Sequence, residues 1–138
     1  MRENERMSDR ADPETPARAF ERFVAAINSH QVASLAALMA PDHLFVDSLG
    51  NRVQGAAPMR LGWQSYFAMC PDYWIQIEDV LSEGEIVLAV GEAGGTIDDA
   101  VWRTPTAWQA VIREGKVVEW RVFADNKPVY EILAKRSR

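Results

Sequence analysis

The sequence predicts an α+β fold, with helices grouped against a mainly antiparallel sheet. Two observations carry this reading. Helical spacing of apolar residues is confined to the first half of the chain and a short C-terminal piece, while strand alternation and tight turns fill the rest. Strands and helices also do not alternate as β–α–β units, which argues against a doubly wound parallel sheet. Curvature of such a sheet leaves a cavity between it and the helices.

The elements follow in order. Thr15-Pro16 is a helix start, with the hydroxyl capping and proline in the first position; Asp12-Pro13 offers a second start. Phe20, Phe23, Val24 and Ile27 then share one helical face. Asn28-Ser29-His30 breaks the pattern. A second helix carries Val32, Leu35, Leu38 and Met39 and ends before Pro41. Residues 44–49 (LFVDSL) read as a strand, with a turn at Gly50-Asn51. Residues 57–69 return to helical spacing, with Met59, Trp63, Tyr66 and Phe67 on one side and Pro71 as the stop. Strands are expected over 73–81, 85–93, 106–113 and 116–124, with a longer polar connection from Gly94-Gly95 to Val101. A short helix after Pro128 closes the chain, and Asp125 or Asn126 is its expected cap.

The 138 residues fit one domain, expected over 15–138 behind a mobile tail at 1–14. With 48% apolar and 25% charged residues, the chain has the composition of a globular protein with its own core. Twenty acidic against 15 basic residues give a net charge of −5, which argues against nucleic acid as a partner. No apolar run reaches the length of a signal peptide core or a membrane span, so the expected location is cytoplasmic and no membrane partner is expected. Cys70 is the single cysteine and is read as a buried, inert thiol. No metal site is expected: His30 lies in an inter-helix turn, and His43 is read as a surface loop histidine, with a proton shuttle at a pocket rim as the alternative. No cofactor is expected. GEAGGTI (91–97) follows a strand but opens no helix, so it reads as a turn and not a phosphate loop.

The segment RFVAAINSHQVASLAALMAPDHLFVDSLG (22–50) resembles the first two helices and first strand of the nuclear transport factor 2-like superfamily, in its ketosteroid isomerase and SnoaL-like branch. AWQAVIREGKVVEWRVFADNKPVYEI resembles that branch's last hairpin, and the likeness covers residues 16–134. The resemblance implies a cone-shaped, cystatin-like roll: a curved sheet wrapped around helices, an apolar pocket inside, and dimerisation through the outer face of the sheet.

It also implies a role for Asp47. The isomerase branch keeps its general-base aspartate in this strand, and an ungapped match places Asp47 there, with alternation putting Phe45, Asp47 and Leu49 on one face. A carboxylate in an apolar pocket suits removal of a proton beside a carbonyl. The alternative is a strand-end aspartate bonded to a turn. The isomerase's oxyanion donors are missing: Phe23 stands where the family has a tyrosine, and Trp108 falls near its second acid. That argues against steroid isomerase activity. Limonene epoxide hydrolase, another holder of the fold, uses an Asp–Arg–Asp set, but the penultimate strand here has no carboxylate. Arg121 is therefore read on the outer sheet face.

Phe23, Phe45, Trp63, Tyr66, Trp108, Trp120 and Val122 are the expected ligand-binding residues, while Trp74 and Trp102 have no assigned place. Two functions stay open. One is an isomerase or cyclase acting on a small apolar carbonyl compound with Asp47 as base. The other is a non-catalytic small-molecule binder or a dimeric interaction module.

Overall fold

Thr15 opens the first helix as expected, its hydroxyl accepting the Arg18 N–H at 3.2 Å. The structure is a computed structural model and describes residues 14–137; the expected tail, but for Glu14, lies outside the described residues. Helix α1 (Pro16–Asn28) buries Ala19, Phe20, Phe23, Ala26 and Ile27, and α2 (Val32–Ala37) follows after His30. The remaining elements are β1 (Met39–Val46), β2 (Arg52–Gln54), α3 (Ala56–Met69), β3 (Trp74–Glu83), β4 (Ile86–Ile97), β5 (Ala100–Arg113), β6 (Lys116–Ala124) and α4 (Lys127–Ala134). The six strands form one curved, unclosed sheet in the order β2-β1-β6-β5-β4-β3. Every neighbouring pair is antiparallel except β1 and β6, which run parallel.

Alternation assigns the two faces. Along β5, Trp102, Thr104, Thr106, Trp108, Ala110 and Ile112 point inward, joined by Val117 and Trp120 of β6. Trp120 is the anchor for α1: Phe20 stacks on it at 5.3 Å and Phe23 lies against it at 4.6 Å. On the outer face Leu81, Leu88, Val90 and Phe123 are exposed.

Three boundaries differ from those the sequence predicts. Met39 leaves the second helix and starts β1. Sheet pairing overrides its helical spacing: Met39 sits opposite Val117, whose N–H donates to the Leu38 carbonyl at 2.8 Å. Pro41 then falls in the register break between Met39 and Leu44, where a missing N–H is tolerated. At its other end β1 stops at Val46, so Leu49 is exposed and does not share a face with Phe45. Finally, Gly94-Gly95 does not begin a connection. Both residues lie inside β4, and the turn to β5 is only Asp98-Asp99, both at positive φ. The glycines serve close approach. A Cβ at Gly94 would meet the Trp74 ring at 2.6 Å, and one at Gly95 would collide with the Cys70 Sγ.

Gly95→Ala is therefore expected to cost about 1–3 kcal/mol in urea unfolding. Adding Cys70→Ala, which removes the sulfur, recovers part of that loss; strictly additive losses would show that the clash lies elsewhere.

Candidate functional site

Between the concave face of the sheet and α3 lies a cavity of about 270 Å³. Ile27, Phe45, Val53, Met59, Ala93, Val122 and Ala124 supply aliphatic and aromatic wall, and Trp63, Tyr66, Tyr73, Trp102, Trp108 and Trp120 supply most of the rest. The polar lining is Asp47, Ser48, Thr104, Thr106 and Asn126. Among the described residues, none that lines the cavity is Lys, Arg or His.

Six of the seven expected ligand-binding residues line this cavity: Phe45, Trp63, Tyr66, Trp108, Trp120 and Val122. Phe23 does not. It is completely buried behind Trp120, with its other face toward His43 at 6.1 Å, so it supports the wall without forming it. Tyr73 and Trp102 are lining residues that the sequence reading did not assign. Their inward direction depends on where β3 and β5 begin, and the glycine run in β4 concealed that. Trp74, by contrast, packs on Gly94 and beneath the Arg103 guanidinium at 6.0 Å, away from the cavity.

Asp47 lines the cavity from the first position beyond β1. Its Oδ1 accepts the N–H groups of Leu49 and Asn51, both at 2.9 Å, and its Oδ2 accepts Asn51 Nδ2 at 3.0 Å. The side chain thus closes the turn into β2. Ser48 and Asn126 join across the same side, the amide donating to the hydroxyl. Asp125 meets the start of α4, accepting the Lys127 N–H at 3.0 Å, while the Asn126 side chain makes no cap. Arg121 pairs with Glu119 at 3.3 Å.

The two threonines of β5 use their protons on the backbone. Thr104 Oγ1 donates to the Asp125 carbonyl at 2.8 Å and Thr106 Oγ1 to the Thr104 carbonyl at 3.1 Å. Two tyrosines are different: the hydroxyls of Tyr66 and Tyr73 make no hydrogen bond among the described residues. Burial pushes both phenols well above their ordinary pKa, so both keep their protons at neutral pH. Among the described residues, the buried Trp63 indole N–H has no acceptor, and that of Trp102 has only the Cys70 thiol nearby. The Cys70 thiol is itself fully buried, and burial raises its pKa.

The histidines are both structural. His30 adopts φ +57°, stacks on Phe67 at 4.4 Å and donates from Nε2 to the Tyr73 carbonyl at 2.6 Å. His43, expected on the surface, is fully buried in β1. The longer reach of β1 toward Met39 draws it under the sheet, where Nδ1 donates to the Val117 carbonyl at 2.8 Å and Nε2 has no partner among the described residues. Among the described residues, no group of three or more His, Cys, Asp or Glu side chains is gathered to hold a metal ion. No helix among the described residues is long and apolar enough to cross a membrane.

Residues 20–125 match the profile of the SnoaL-like domain. The chain belongs to the SnoaL-like family. Solved structures agree on the fold. IdmH of Streptomyces antibioticus, a proposed polyketide cyclase, is 20% identical with a TM-score of 0.73, the match covering 88% of this chain and 99% of that one. A proposed SnoaL-like polyketide cyclase of Shewanella denitrificans is 13% identical with a TM-score of 0.78, covering 87% of this chain and 97% of that one. A cystatin-fold protein of Novosphingobium aromaticivorans is 19% identical with a TM-score of 0.73, covering 80% and 98%. No curated protein matches the chain by sequence.

His43 gives a pH prediction. Burial lowers its pKa below the ordinary value, against the opposing effects of the Val117 carbonyl, Asp42 and Glu119. As pH falls through about 6.5, the unfolded chain gains a proton that the folded one refuses, so stability declines with acid. His43→Gln is expected to flatten the slope of unfolding free energy between about pH 6.5 and 5, by up to ~1.4 kcal/mol per pH unit. An unchanged slope in urea titrations at several pH values would contradict this.

Proposed function

We propose that the SnoaL-like cavity binds a small, flat, largely apolar carbonyl compound, and that the protein isomerises or cyclises it with Asp47 as the base. The observation that carries this reading is an aromatic-walled cavity of about 270 Å³ in which Asp47 is the one lining carboxyl group among the described residues. An ionised carboxylate offers about four lone-pair sites. Three donors hold the Asp47 group in the turn and leave a site on Oδ2 to take a proton. The turn also fixes the group's orientation, as general-base catalysis requires. The polyketide cyclases proposed among the structural neighbours are consistent with chemistry of this class.

The same hydrogen bonds favour a second reading, in which Asp47 serves the turn and the cavity binds without turnover. Deuterium exchange next to the carbonyl, in a panel of enones and cyclic ketones, separates the two. Asp47→Asn keeps an acceptor for the two backbone N–H groups. It is expected to slow exchange by about 10²–10⁴-fold while binding persists. Wild-type protein that binds the panel without exchanging any member would favour the second reading.

We also propose that a second copy of the chain covers the outer sheet face, where Leu81, Leu88, Val90 and Phe123 form an exposed apolar patch. Sedimentation at micromolar concentration should give a dimer that Leu88→Glu dissociates. A monomeric wild type would overturn this.

A further inference from the structure

The polar groups inside the cavity are not evenly distributed. Thr104, Thr106 and Asn126 have committed protons to the Asp125 carbonyl, the Thr104 carbonyl and Ser48. A group of uncommitted protons lies at the corner where α3 meets the start of β3. Tyr73 is the centre of that corner. Its ring lies 4.9 Å from Tyr66, 6.3 Å from Trp63 and 6.1 Å from Trp102. All four side chains line the cavity, and each carries a proton without a strong acceptor among the described residues.

Tyr73 is also held in place. Its N–H donates to the Cys70 carbonyl at 3.1 Å, and its own carbonyl takes the His30 Nε2 proton at 2.6 Å. A fixed donor in a dry site stabilises negative charge on an oxygen far better than one that must reorganise.

Building on the reading above, we propose that Tyr73 and Tyr66 are the oxygen-binding end of the cavity, so that its ligand is an uncharged ring compound docked through a carbonyl oxygen, and carboxylates are excluded. The exclusion follows from charge. Among the described residues no lining side chain is cationic, so a carboxylate would enter without a counter-charge and next to the Asp47 carboxyl group. A purely apolar ligand would displace water and leave the tyrosine protons unpaired, which is costly in a buried site. A ketone pairs them. In turnover the same two donors would hold the developing enolate oxygen after Asp47 takes the carbon-bound proton. They would thereby fill the role that Phe23, which has no hydroxyl and does not reach the cavity, cannot take. The enolate then regains a proton from protonated Asp47 at the same or another carbon, so atoms and charge balance.

Three probes of similar shape test this: tetralone, a ketone; tetralin, its hydrocarbon; and naphthoate, an anion. Calorimetric titration of the wild-type protein should show tetralone binding about tenfold or more tightly than tetralin. Naphthoate should bind more weakly than tetralone. The double variant Tyr66→Phe/Tyr73→Phe should erase the tetralone advantage, weakening tetralone and, with no tyrosine protons left to strand, tightening tetralin. The infrared carbonyl stretch of bound tetralone should lie at lower frequency than in water-free solvent, and return toward it in the variant. Equal binding of tetralone and tetralin to wild type, or a tetralone advantage kept by the double variant, overturns the inference and leaves the cavity reading intact. Naphthoate binding as tight as that of tetralone overturns the charge exclusion. Failure of all three to bind overturns the cavity reading itself.

Discussion

The contact of Trp120 with α1 is the constraint on which the rest of the molecule depends. Phe20 and Phe23 press on the indole from one side, and the cavity opens on the other. One side chain therefore sets both the distance of the helix layer from the sheet and the floor of the pocket. It has this position because β6 pairs in parallel with β1 and antiparallel with β5, which fixes its register on both sides. A slip of one residue would turn Trp120 outward and bring Arg121 into the core.

The two walls of the cavity are built differently. The sheet wall is held by ladders on several strands, and its hydroxyls are tied to the backbone. The helix wall is a cluster of aromatic side chains whose polar tips remain free. The Trp102 indole of β5 joins that cluster from the sheet side. Asp47 lines the cavity from the turn between β1 and β2. Loops placed on a rigid scaffold are where reactive groups are usually carried.

Much of this was legible in the sequence, because alternation and helical spacing are local signals. The Thr15 cap, the inward direction of Trp108 and Trp120, and six of the aromatic and aliphatic residues that line the cavity follow from residue spacing. What spacing could not show was decided by partners distant along the chain. Met39 and His43 belong to β1 because of Val117, some eighty residues away. Gly94 and Gly95 resemble turn residues locally, yet they lie mid-strand because Trp74 and Cys70 need the space. The place of Tyr73 depended on that same strand reaching farther than its glycines implied. Phe23 had the correct helical face, but pointing toward the core is not the same as reaching the cavity. The hydrogen bonds that occupy Asp47 were also beyond reach, since they exist only once β1 stops at Val46.

The distribution of tryptophan has a consequence for observing this protein. Of its five indoles, Trp63, Trp102, Trp108 and Trp120 surround the cavity and Trp74 alone lies outside it. Occupancy changes the surroundings of four chromophores together and leaves the fifth as an internal standard. The protein thus carries a built-in optical reporter of whether its interior is filled, and no label need be added to read it.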